Sequence, residues 1–354
     1  MTSADAVAAV LWVGIAFYAV FGGADFGAGL WALFAGGGTR GRRIRELVDW
    51  AIGPVWESNH VWLIFVLVVL WTAFSAAFEA ITSTLFIPLS LVALGIVLRG
   101  AGFAFHTTAR GSRGRVLAQR LFGLSSLLTP FFMGTVAGAV AGGRVPVGNA
   151  AGDAVTSWLN PLSLLIGALF VATSAYLSAV FLVREARRAG VADLERAFTA
   201  RALGAGLAAA AVGLAALLVL RADARPLFDR LFDQALPPVI VSALCGLGVL
   251  ALLRRRSVRG ARALAVGAVA ALIWAWGIAQ FPYLLPRTLT IAEAAAPRPT
   301  LTGVLLVFGV AIVLVLPALG LLYTLAQRDL IGDAERPEAD PRRPSAPNAT
   351  PGPS

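Results

Sequence analysis

Glu57, Asn59 and His60 stand within four residues, flanked by Trp56 and Trp62, in the otherwise apolar run Gly53-Pro-Val-Trp-Glu-Ser-Asn-His-Val-Trp-Leu63. A charge at the centre of a bilayer costs roughly 3 kcal/mol on insertion scales, so such a group persists only if paired, protonated or beside water. Glu57 and His60 are three residues apart and share one face of a helix. A carboxyl and an imidazole so placed can pass or share a proton. The plainer alternative is a hydrogen-bonded pair that grips a neighbouring helix.

Other polar residues interrupt apolar stretches nearby. Asp25 lies in Gly22-Gly-Ala-Asp-Phe-Gly-Ala-Gly29, where Gly23 and Gly27 make a small-xxx-small step and Gly29 extends it. A carboxylate is thereby placed where helices meet. Arg99 is the one charge between Leu85 and Phe105. It could snorkel to the surface or pair with Asp25 or Glu57. Glu79 falls near a short turn, as readily solvated as functional, and His106 closes its span as an interfacial residue. Gln280, in Trp274-Ala-Trp-Gly-Ile-Ala-Gln-Phe-Pro-Tyr-Leu-Leu-Pro286, reads as an amide within an interfacial anchor.

Several chemistries are disfavoured. The chain has two histidines, one cysteine (Cys245) and one methionine besides Met1, with no His/Cys cluster at ligand spacing. No metal site is expected, and the chain alone should not build a bis-axial heme site, although one ligand to a shared heme stays open. There is no P-loop, dinucleotide fingerprint or nucleophile elbow.

The elements that position these residues are membrane helices. With 58% hydrophobic residues and apolar runs of about 20 residues recurring throughout, the chain reads as an all-α integral membrane protein. About nine spans are expected, at 6–35, 51–78, 80–105, 117–141, 158–183, 200–221, 236–254, 261–281 and 302–326. Residues 1–332 form one bundle, and the Pro-rich segment 333–354 is expected to be a disordered cytoplasmic tail. The net charge of +10 comes entirely from arginine on the basic side, clustered in alternate loops: Arg40–Arg45, Arg110–Arg120, Arg184–Arg201 and Arg254–Arg262. That alternation is the positive-inside pattern, with the N-terminus outside and the C-terminus cytoplasmic. It accounts for the basicity without nucleic acid. The first span is not a cleavable signal, since no positive segment precedes it and Asp25 sits within it.

Four stretches carry a family resemblance: Gly23-Ala-Asp-Phe-Gly-Ala-Gly29, Pro54-Val-Trp-Glu-Ser-Asn-His-Val-Trp-Leu63, Leu98-Arg-Gly-Ala-Gly-Phe103 and Ala279-Gln-Phe-Pro-Tyr-Leu-Leu-Pro286. In this order the chain resembles subunit II of the cytochrome bd-type quinol oxidases, including the cyanide-insensitive branch. The resemblance implies a heme-free bundle without catalytic residues of its own, beside a subunit I that holds heme b, with or without heme d, and the quinol site. It further implies a bacterial inner-membrane location, room for a small accessory subunit, and a part in assembly and proton delivery for reduction of oxygen to water. Asp25, Glu57 and Arg99 fall on motif positions as proton-route or polar-network residues, with His60 beside them and Trp56, Asn59, Trp62 and Gln280 in support. The family often has an acid where Gly22 stands, Gly at Ser58, Glu or Gln at His60, and an acid at Ala104. The alternative is a proton- or cation-coupled secondary transporter, which also places acids at the midplane. A paired inverted repeat with a second acidic break in the later spans would favour it, and spans five to nine show no buried acid.

Overall fold

A backbone amide left unpaired in hydrocarbon is costly, so a chain this apolar resolves into helices that satisfy themselves. The structure, a computed structural model, describes residues 2–52, 56–108, 112–255 and 257–327; within them the side chains of residues 52, 56, 57, 103–108, 112, 113, 115, 116, 323, 326 and 327 lie outside the description. The helices are α1 (Ser3–Leu33), α2 (Gly38–Ile52), α3 (Trp56–Ala73), α4 (Ser75–Thr84), α5 (Phe86–Thr108), α6 (Ser112–Ala141), α7 (Pro161–Arg188), α8 (Ala192–Asp223), α9 (Arg225–Phe232), α10 (Leu236–Arg254), α11 (Ala261–Gln280), α12 (Ile291–Ala294) and α13 (Arg298–Gln327). A two-strand hairpin, β1 (Tyr283–Leu285) and β2 (Leu289–Thr290), lies between α11 and α12.

Seven of these helices are long and apolar enough to cross a membrane: α1, α7, α8, α10, α11, and the segments Leu117–Ala141 of α6 and Arg298–Leu322 of α13. The α3–α4 pair reaches that standard only when taken together, and the described apolar part of α5, Phe86–Gly102, is shorter. The expected span 51–78 is therefore not one rod. The chain turns by 118° between α3 and α4, with Phe74 buried at the corner.

α1 is the central helix, packing against α7, α6, α3 and α11. It starts in a capping box: the Thr2 hydroxyl accepts from the Asp5 N–H at 3.2 Å, and the Asp5 carboxylate accepts from the Thr2 N–H at 2.8 Å. α7 starts likewise, with Asn160 accepting from the Ser163 N–H at 3.0 Å and Pro161 in the first turn. The arginine-rich segment after α1 is a helix, not a loop. α2 buries Ile44, Leu47 and Val48 against the core, with Arg40 and Arg42 exposed and Arg43 and Arg45 half-buried.

The two ends of the bundle are tied differently. At one, Arg43 of α2 makes paired hydrogen bonds of 2.9 and 3.0 Å to Asp193 of α8, and Arg187 pairs with Glu195. At the other, Arg144 pairs with Asp223 at 3.2 Å, and Arg230 donates to the Phe281 carbonyl at 2.9 Å.

Candidate functional site

Three close approaches bring α1 against its neighbours. A Cβ on Gly27 would lie 1.8 Å from the Ser174 carbonyl oxygen of α7, and one on Gly29 would lie 2.1 Å from Ser126 Oγ of α6. A Cβ on Gly277 of α11 would lie 1.4 Å from the Trp12 indole nitrogen. Gly23 is different, since its Cβ would meet only ordinary contacts at 3.5 Å. Of the expected packing glycines, Gly27 and Gly29 are required and Gly23 is permissive.

These contacts seat Asp25 in the interior, 1% exposed, facing Arg99 of α5, which is 0% exposed. Arg99 Nε donates to Asp25 Oδ2 at 3.0 Å, Nη2 lies 2.7 Å from Oδ1, and Nη2 also donates to the Asp25 carbonyl at 3.1 Å. Nη1 donates to Ser126 Oγ, whose hydroxyl also bonds the Phe122 carbonyl. The guanidinium is held between the rings of Phe122 and Phe26, at 4.2 and 5.2 Å from their centroids. Arg99 therefore does not snorkel; it closes an ion pair in the middle of the bundle.

The second partner of Asp25 is His60. Its Nε2 lies 3.5 Å from Asp25 Oδ2, while its Nδ1 lies 3.4 Å from the Tyr18 hydroxyl. Phenol, imidazole, carboxylate and guanidinium thus form one row across α1, α3 and α5. The His60 side chain is 13% exposed, against 0% for Asp25 and Arg99, so the row reaches the edge of the bundle at the imidazole. Each imidazole nitrogen faces a partner, Nε2 the Asp25 carboxylate and Nδ1 the Tyr18 hydroxyl. Among the described residues, no group of three or more His, Cys, Asp or Glu could hold a metal ion.

Asn59 is buried on the same helix, and Trp62 is buried with its ring stacked 4.4 Å from Phe17. The side chains of Glu57, Trp56 and His106 lie outside the described residues. Glu79 is exposed on α4. Gln280 is 3% exposed and bonded at both ends of its amide: its Oε1 accepts from the Trp276 indole at 2.8 Å and its Nε2 donates to the Leu284 carbonyl at 2.8 Å, pinning the hairpin to α11.

Tyr18, Ser126 and the two flanking phenylalanines were not singled out by the sequence. Tyr18 had a signal, since it precedes Asp25 by seven residues, two helical turns on the same face. Its ring also explains Gly22: a Cβ there would meet Tyr18 Cε2 at 2.8 Å. Glu185 was missed too. α7 runs on past the expected end at 183, and Glu185, 8% exposed, lies 3.1 Å from Arg262 and 3.4 Å from Arg188.

The family profile for cytochrome bd terminal oxidase subunit II matches residues 4–326, nearly the whole chain. The chain belongs to that family. Its fold is similar to a chain in the structure of bd oxidase from Geobacillus thermodenitrificans, with a TM-score of 0.78 and 28% identity, covering 92% of this chain and 98% of that one. It is 22% identical over 343 residues to a provisionally named cytochrome bd menaquinol oxidase subunit II of Bacillus subtilis (strain 168), covering 92% of this chain and 97% of the relative. Over 121 residues it is 28% identical to cytochrome bd-I ubiquinol oxidase subunit 2 of Escherichia coli (strain K12), 34% of this chain and 31% of that one. The protein is thus a multi-pass membrane subunit of a respiratory quinol oxidase, with a subunit I as partner in the complex. These comparisons take the place of the transporter reading.

Proposed function

We propose that this subunit holds no heme of its own, supports assembly of the oxidase and conducts protons toward the oxygen-reducing site of its partner. The partner would carry heme b, with or without heme d, and oxidise the quinol. The seven long spans, the bent α3–α4 pair and α5 would make nine crossings, with the arginine-rich end cytoplasmic and the N-terminus outside. Quinol releases protons outside and oxygen reduction consumes them from inside, so a conducting path suffices to separate charge.

The observation that carries this reading is the buried row Tyr18–His60–Asp25–Arg99. Asp25 and Arg99 cancel each other's charge, which leaves the imidazole to receive and pass a proton at either nitrogen. Asp25 then steadies the protonated imidazole. A crevice of about 30 Å³, roomy enough for a water, is lined by Arg45, Asp49, Gln119 and Phe122 at the arginine-rich end. Phe122 also covers Arg99, so the crevice lies one ring away from the row. Tyr18 stands in for the acid the family often carries at the Gly22 position, His60 for the Glu or Gln it carries at that position, and Glu57 would extend the route. In a second reading, favoured by the two-point Arg99–Asp25 contact, the row only clamps α1, α5 and α6 together.

His60→Leu and Glu57→Gln complexes separate the two. If the row conducts, each variant assembles with the partner's hemes in place and loses quinol-driven turnover about tenfold or more, as removal of a proton-transfer group does. Wild-type turnover in a fully assembled His60→Leu complex would leave only the clamp.

A further inference from the structure

At the arginine-poor end, α6, α9, α11 and the hairpin surround a cavity of about 230 Å³. Its walls are apolar at Ala141, Leu227 and Ala279, and two guanidiniums, Arg230 and Arg287, join Tyr283 in lining it. Of the carboxylates nearby in the chain, Asp223 pairs with Arg144 at 3.2 Å and Asp229 with Arg225 at 3.7 Å, while Asp233 makes no ion pair with either cavity arginine among the described residues. Neither cavity arginine has an acidic partner among the described residues. Arg230 is fixed by its bond to the Phe281 carbonyl and by the Tyr283 ring, 5.7 Å from its guanidinium.

Arg287 is exposed and makes no hydrogen bond or ion pair among the described residues, yet its position is built. It sits at φ 67°, a conformation that favours glycine, in the turn between β1 and β2. That turn is anchored at both sides. Leu284, Leu285 and Leu289 are buried, Gln280 grips the Leu284 carbonyl, and the Ile291 N–H bonds the Pro282 carbonyl at 2.9 Å. Below it Thr290 and Glu293 close a capping box on α12, and the Thr290 N–H holds the Glu293 carboxyl below its ordinary range. Gly143, itself at φ 67°, faces the Arg287 guanidinium, to which a Cβ on it would make an ordinary contact at 3.5 Å.

We infer that this cavity binds a phosphate-bearing anion, with the headgroup of an anionic phospholipid as its occupant. Two guanidiniums with no acidic partner among the described residues, one of them held by the Phe281 carbonyl, suit phosphate oxygens, which accept several N–H bonds at once. Ile278 and Phe281, adjacent in the chain to the lining residues Ala279 and Gln280, are exposed apolar side chains along which acyl chains would run. A free phosphate would use the guanidiniums but not the walls.

The test uses the purified two-subunit oxidase, delipidated in neutral detergent and titrated with phosphatidylglycerol, phosphatidylcholine or inorganic phosphate while its thermal midpoint is followed. Phosphatidylglycerol should raise the midpoint saturably and phosphatidylcholine should not. Arg287→Gly, which suits the backbone at that turn, should weaken the phosphatidylglycerol effect roughly tenfold, the loss expected for one charge-assisted contact. Arg287→Gln serves if the glycine variant fails to assemble. A saturable inorganic phosphate effect of the same size, lost in the variant, would replace the lipid with free phosphate. Equal response to both lipids in the wild type, or an unchanged phosphatidylglycerol effect in the assembled variant, would overturn the site.

Discussion

Asp25 and Glu185 are the two buried acids among the described residues, and each is met by cationic side chains, yet they occupy different solvents. Asp25 and Arg99 have 0% side-chain exposure, and the Arg99 guanidinium lies between aromatic rings. Glu185 has 10%, and its partners Arg188 and Arg262 have 26% each at the arginine-rich end. A charge that loses its partner in the first site has no water to turn to. In the second, solvent is already at hand. Depth, not the number of ion pairs, decides what each contributes.

The largest effect should come from breaking the deep pair on one side only. Asp25→Asn strands the Arg99 guanidinium, and removing one member of a buried pair costs ~3–5 kcal/mol. The expected outcome is a steep fall in assembled complex, measured as co-purifying partner heme. Asp25→Asn combined with Arg99→Gln removes both charges and should restore most of the assembly. If the single variant assembles like the wild type, the pair is not the sealed unit its geometry describes.

Second in size is the packing that keeps the deep site dry. A methyl at Gly27 would strike the α7 backbone, which cannot move aside as a side chain can. Gly27→Ala should therefore destabilise by roughly 1–3 kcal/mol through overpacking. Gly23→Ala, one turn away, meets only ordinary contacts and gains helix propensity of up to about 1 kcal/mol, so it should be neutral or stabilising. Thermal midpoints of the two complexes check this. Equal losses would mean that α1 and α7 do not approach at Gly27 as closely as described.

The same contrast separates what the sequence displayed from what it concealed. Asp25, Arg99 and His60 stood out because charge is expensive in hydrocarbon, and that expense forces a partner. Tyr18 and Ser126 are neutral hydroxyls that a span tolerates, so nothing in composition marked them as members of the row. Arg99 had two possible acids, and the structure shows its pairing with Asp25, while the Glu57 side chain lies outside the described residues. α2 was read as loop because its arginines dominated the count, although Ile44, Leu47 and Val48 carried a helical stripe. The 118° turn at Phe74 has neither proline nor glycine to announce it. Glu185 escaped because the apolar run ended before it while the helix did not.

The smallest effect belongs to Glu185. Glu185→Gln leaves both arginines stacked on rings, Arg262 over Phe181 at 4.4 Å and Arg188 over Trp50 at 5.0 Å, and each keeps access to water. Partly solvated pairs are worth ~0–1 kcal/mol, so the thermal midpoint should fall only slightly. The two arginines then repel each other without a carboxylate between them, and salt relieves this because the Debye length shrinks from about 10 Å at 0.1 M to about 3 Å at 1 M. The difference between variant and wild type should accordingly narrow at high salt, whereas the Asp25→Asn defect should not. A Glu185→Gln loss as large as that of Asp25→Asn, and as indifferent to salt, would show that this end is sealed from water in the assembled oxidase. The two acids would then be equivalent, and exposure in the isolated chain would be the wrong measure of depth.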